Sequence, residues 1–181
     1  MQKTLKILSV FCVVTVLMES IGAYLGFNQI NTMFLCHLYT PIEFAFIIFI
    51  VKSFYQNSTY FLPVLLFCFA AFCVFDSLFI ESILHFNSIP RGIEGIIIIC
   101  FCVYFFYHIF TSEETFNLTT YPYFWLFSSW LIYFSGTLIL FVYSFQAGVN
   151  TTFSIIHSVL NILLNLIFAY TLWLGSKKLI G

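Results

Sequence analysis

Charge is what this chain has least of. It carries six Lys or Arg and seven Asp or Glu in 181 residues, 7% in all, where a soluble domain carries about 25%. That excludes a water-facing polar shell on every side and leaves no basic surface with which to grip nucleic acid. Other signatures are missing too. The six cysteines, Cys12, Cys36, Cys68, Cys73, Cys100 and Cys102, show no paired spacing of a zinc site or thiol redox motif and read as small apolar packers. There is no His-Glu-x-x-His run and no serine nucleophile elbow. No alternation of apolar and polar residues marks a membrane β-barrel, since Ile47 to Val51 and Ile96 to Cys102 are unbroken apolar runs. The two halves share no repeat of the kind inverted-repeat transporters carry.

What is present is apolar and aromatic: 62% of residues are hydrophobic and 22% are Phe, Trp or Tyr. Apolar runs of about 20 residues span a bilayer as helices. Read against the polar breaks, they predict an all-α, polytopic membrane bundle of six transmembrane helices. The spans lie near Leu5 to Gly26, Thr32 to Tyr55, Tyr60 to Glu81, Arg91 to Thr111, Pro122 to Phe145 and Thr152 to Gly175. The whole of residues 1–181 then forms one transmembrane domain. Pro122 suits a first helical turn, and Pro41 predicts a kink inside the second span. The breaks are short and rich in turn formers, among them the Asn87 to Pro90 turn.

Orientation follows from the cations. With six spans both termini share a side, which collects Lys3, Lys6, Lys52, Lys177 and Lys178 against Arg91 on the other. The positive-inside rule makes that side cytoplasmic and the protein a multi-pass component of the inner, cytoplasmic membrane. Tyr55, Tyr60, Tyr121, Tyr123, Trp125 and Trp173 would form an aromatic belt there. A competing reading takes the first run as a signal peptide cleaved around Ser20 to Ala23; Glu19 and the length of the run favour a retained helix. Asn57, Asn117 and Asn150 match the glycosylation acceptor pattern, which is too common to carry weight.

The few acids are the informative residues. An ionisable group in hydrocarbon costs roughly 2.5–3.5 kcal/mol by translocon insertion, so a chain that keeps several of them in its spans uses them. Counting roughly 1.5 Å per residue from each span's outer end, Glu94 lies shallowest, Glu19, His37, Asp76 and His157 somewhat deeper, and Glu43 and Asn161 deeper still. Five helices thus place an ionisable group in the outer half, while the inner half of the spans holds no acid. His157, Asn161 and Asn165 form a four-residue stripe on the last helix, and Arg91 and Glu94 stand three apart as a positioning pair, with Glu81 an alternative partner for Arg91.

Each of these has a plain structural role open to it, interhelical hydrogen bonding for Asn161 and Asn165 and a rim ion pair for Arg91. Together, Glu19, His37, Glu43, Asp76, His157 and Asn161 outline a ligand- or cation-binding pocket opening outward. Such a layer relays protons, holds a divalent metal on His37, His157, Glu19 and Asp76, or takes an organic cation over aromatic faces. A sensor or ligand-binding protein acting with a signalling partner, or as a homo-oligomer, fits best. A proton- or cation-coupled transporter needs a polar path through the inner half, where the spans offer only Cys68, Cys100, Cys102, Ser128 and Ser129. A metal-dependent intramembrane lipid hydrolase of the alkaline ceramidase type needs paired histidine-and-aspartate spacings that are absent.

Leu38-Tyr-Thr-Pro-Ile-Glu43-Phe, Arg91-Gly-Ile-Glu94-Gly, Phe124-Trp125 with Ile132-Tyr-Phe-Ser-Gly136, and Ile156-His157 through Asn161 to Asn165 resemble segments of small six-helix membrane proteins of Bacteroidota. That resemblance implies a bacterial membrane protein accompanying sensor kinases.

Overall fold

In a computed structural model, which describes residues 2–54, 60–112, 117–147 and 151–180, the side chains of 142–147 and 178–180 excepted, every long element is an α-helix. Tyr55, Asn57 and Asn150, and the side chains of Tyr143 and Lys178, lie outside the described residues. The helices are α1 (Gln2–Phe27), α2 (Met33–Phe54), α3 (Phe61–Phe79), α4 (Ser88–Thr111), α5 (Pro122–Ala147) and α6 (Thr151–Ile180), with a 3-10 turn at Leu118–Thr120 before α5. All six are long and apolar enough to cross a membrane. Val13, Val16, Phe67, Ile139 and Ile162 are each more than half exposed. Such surface needs lipid around it, and a backbone in lipid must satisfy its own polar groups, which helices do. The chain is a multi-pass membrane protein.

The helices fall into two compact units, Lys3–Arg91 and Gly92–Gly181, with the boundary inside α4. In the first, α2 is the hub. Phe44 meets Phe69 of α3 at 4.1 Å between ring centroids, and Phe11 of α1 meets Phe46 at 5.3 Å. At one end Thr4 and Ser53 share a hydrogen bond of 2.6 Å; further along, Thr15 and Tyr39 share one of 2.9 Å. In the second unit, Phe105 of α4 stacks on Phe127 of α5 at 3.9 Å and 6°. Helices α5 and α6 approach closely at Gly136, where an added Cβ would sit 3.1 Å from Leu160 Cδ1. A small residue at such a crossing is what lets two membrane helices come together.

The helix ends depart from the sequence expectation in ways that have local causes. Met33 begins α2 because the Asn31 side chain accepts its N–H at 2.8 Å, an N-terminal cap. Helix α4 begins at Ser88, three residues before the expected Arg91, and so takes in part of what reads as the Asn87 to Pro90 turn. The Glu81 carboxylate accepts from Ser88 Oγ and, at 3.1 Å, from Ile89 N–H. Pro90 is no obstacle in a first turn, where its missing N–H had no partner to lose. Pro41 lies within α2, which continues through it from Met33 to Phe54.

Helix α1 ends in a Schellman arrangement, with Ile30 N–H on Leu25 O and Gln29 N–H on Gly26 O, both at 3.0 Å. The position that glycine usually takes is held by Gln29, at φ 57°. A side chain in that left-handed conformation costs roughly 1 kcal/mol. Gln29→Gly is therefore expected to stabilise the protein by about that amount and Gln29→Val to destabilise it, read as opposite shifts in reversible unfolding in mixed micelles.

Candidate functional site

In the first unit, the C-terminal ends of α1 and α3 and the N-terminal ends of α2 and α4 come together. Two loop contacts tie this end: Asn31 Nδ2 donates to Leu84 O at 3.0 Å, and His37 Nε2 meets His85 O at 3.0 Å. Most of the unit's polar side chains gather here.

Their centre is an ion pair between Arg91 of α4 and Glu43 of α2, with side chains only 8% and 4% exposed. The Arg91 guanidinium also lies over the Tyr39 ring, 5.4 Å from its centroid. Tyr39 in turn holds Thr15 of α1, so one chain of contacts joins three helices. Beside it, buried Asn87 donates to Thr40 Oγ1 at 2.6 Å and to Cys36 O at 3.2 Å, fastening the start of α4 to α2. Arg91, for which spacing offers Glu94 or Glu81, has Glu43 of α2 as a partner.

His37 uses both ring nitrogens. A carbonyl only accepts, so Nε2 carries a hydrogen toward His85 O. Ser77 Oγ lies 2.8 Å from His37 Nδ1 and 2.8 Å from Cys73 O. Its single hydrogen goes to Nδ1 when the imidazole is neutral and to Cys73 O when it is charged. One hydroxyl rotation accommodates either form, and Nε2 has no lone pair to offer a metal.

Asp76 stands apart. It is 0% exposed, and among the described residues no N–H group or cation reaches either carboxyl oxygen. The Glu81 carboxyl faces it, acting both through its charge and as a side-chain hydrogen-bond partner, and the Asp76 carbonyl receives the N–H groups of Ile80 and Glu81 that close α3.

The remaining candidates lie elsewhere. Glu19 is on an exposed face of α1. Glu94 belongs to the second unit and is 0% exposed. His157 and Asn161, both half-buried on α6, are also in the second unit. His157 meets the Tyr133 hydroxyl at 3.2 Å and stacks on Phe153 with centroids 6.0 Å apart; Asn161 accepts from Asn165 Nδ2 at 2.9 Å through both its carbonyl and its side chain. Among the described residues no three His, Cys, Asp or Glu side chains gather closely enough to hold a metal ion.

Sequence reasoning passed over Asn87, Ser77 and His85. Asn87 and Arg91 stand four apart, a same-face signal obscured because Asn87 reads as a turn residue. Ser77 and His85 carry no signal, since their meeting with His37 depends on how α3 and its following loop return to α2.

Comparison with protein-family models, curated proteins and solved structures finds no match for this chain. Its chemistry has to be argued from its own geometry.

Removing one partner of a buried ion pair strands the other and costs about 3–5 kcal/mol. Glu43→Gln and Arg91→Gln are each expected to destabilise by that order. Glu43→Leu with Arg91→Met together should cost less than the sum of the corresponding single changes, the deficit being the coupling read from a double-mutant cycle of unfolding free energies in micelles.

Proposed function

We propose that this protein is a sensor of the cytoplasmic membrane that binds a proton or a small cation at the outer end of its first unit and passes the signal to a membrane partner. The observation that carries the reading is Asp76. Its neighbours in that end of the unit are provided for: Arg91 by Glu43 and Tyr39, His37 by Ser77 and His85, Glu81 by the start of α4. Asp76 is as deeply buried as any of them, yet among the described residues what faces its carboxyl is a second carboxyl, Glu81, and not an N–H group or a cation.

A buried carboxyl without a donor has two stable forms, neutral with its proton or ionised with a cation beside it. Either makes occupancy depend on what is outside. The outward placement rests on the lysines at the opposite end of the spans, following the positive-inside rule. The partner is proposed because the breaks between the helices are short, and because the resemblance to membrane proteins of Bacteroidota points to company with sensor kinases. Closing the site would act on the hinge that Asp76 shares with the end of α3, where its carbonyl holds Ile80 and Glu81. From there Glu81 reaches the first turn of α4, a short mechanical route from an occupied carboxyl to a helix that enters the second unit.

Asp76→Asn keeps the shape and removes the titratable oxygen. In nanodiscs, the wild-type melting temperature is expected to shift with pH between about 5 and 8, or on adding Na⁺, Ca²⁺, Zn²⁺ or choline. Asp76→Asn should be folded and unresponsive to whichever of these moves the wild type. A variant that responds as the wild type does removes Asp76 from the site. Uptake of the active cation into liposomes carrying the wild-type protein would show a transporter instead.

A further inference from the structure

At the other end of the first unit, α1 and α2 flank a groove of about 750 Å³. Its rim carries Lys3 and Lys6, from the first turns of α1, and Lys52, from the last turn of α2. The hydrogen bond between Thr4 and Ser53 holds the two helix ends together, so the three ammonium groups are tethered to one mouth. None of the three lysines has an ion-pair partner among the described residues. The unit's four acids, Glu19, Glu43, Asp76 and Glu81, lie well along the helices or at their far ends.

Below the rim the walls are apolar. Val10 and Phe49 are about half exposed, and Phe46, in contact with Phe11, lines the groove with them. Three uncompensated cations over a greasy floor on a membrane-spanning helix pair match an amphiphile with an anionic head, not a free ion. We propose that this groove binds one anionic phospholipid of the leaflet into which these helix ends project. The phosphate sits among Lys3, Lys6 and Lys52, and an acyl chain runs along Val10, Phe46 and Phe49.

The physical terms favour it. The lysine stems lie along apolar surface while their ammonium groups stay at the headgroup level. Each lysine near an anionic leaflet is worth about 1 kcal/mol, a factor of about five in occupancy. The volume falls in the ordinary range for a ligand pocket, about 300–1,000 Å³. On the orientation inferred above, the leaflet is the cytoplasmic one, whose surface is rich in anionic lipid. The site shares no residue with Asp76 or the Arg91 cluster, so it stands or falls separately from the sensory reading.

Native mass spectrometry of the full chain, released from micelles doped with phosphatidylglycerol, cardiolipin or phosphatidylcholine, reads retained lipid directly. Wild-type protein is expected to retain the anionic lipids at least about fivefold more than phosphatidylcholine. Lys52→Gln should lower retention about fivefold and the triple change at Lys3, Lys6 and Lys52 much further. Lys177→Gln, at a lysine that instead lies over the Trp173 ring, should leave retention unchanged. Phe49→Ala keeps every charge and should also weaken retention, whereas inorganic phosphate should not displace the lipid. Equal retention of anionic and zwitterionic lipid, an equal loss from Lys177→Gln, or displacement by phosphate would overturn the proposal. If the triple variant fails to insert, Lys52→Gln and Phe49→Ala decide it.

Discussion

A charge inside a membrane protein must be neutralised where it lies, because neither lipid nor a dry interior supplies a counterion. The pairing of Arg91 with Glu43 meets that requirement and sets much of the first unit around it. The guanidinium is drawn inward from the start of α4 to a carboxylate on α2, and Tyr39 covers its face. Once α4 is held there, Asn87 falls within reach of Thr40 and the Cys36 carbonyl, and Glu81 within reach of the first N–H groups of the helix. The helix starts early because a carboxylate from the preceding loop is in place to cap it.

The same requirement makes Asp76 conspicuous. Burial asks every polar group for a partner, and the surrounding network shows that this end of the unit can supply them from side chains and carbonyls alike. Among the described residues Asp76 meets a second carboxyl, Glu81, where its neighbours meet cations, N–H groups or hydroxyls. The ionic chemistry of the unit is thus divided between a pair that closes upon itself and a single acid that does not. The first gives position, since both its members are fixed by helices.

The two ends of the first unit carry opposite characters. One end is acidic and hydrogen-bonded, built from helix termini and returning loops. The other presents three lysines over an apolar groove. The second unit has a different texture, with stacked rings and a histidine set among Tyr133, Phe141 and Phe153. Among its polar groups, Tyr133 and His157 meet across α5 and α6, and Asn161 and Asn165 pair one helical turn apart.

The helices themselves were legible in the residues. Apolar runs of membrane length leave one solution for a backbone that must satisfy itself, so six helices and their approximate limits follow from composition and spacing. The list of costly residues was legible too, because expense in hydrocarbon is a property of the side chain alone. Partnership was not. Glu94 stands one turn from Arg91 and Glu43 stands 48 residues away, yet the pairing with Glu43 depends on how α4 returns to α2, a distance that spacing along one helix does not contain. Depth along a span likewise put Glu19 and Asp76 in a single layer, although one faces outward from α1 and the other is wholly enclosed. The chain by itself determined which residues would need neutralising. Tertiary structure decided which of them were neutralised by neighbours, because only packing brings distant helices within the few ångströms over which hydrogen bonds and ion pairs act.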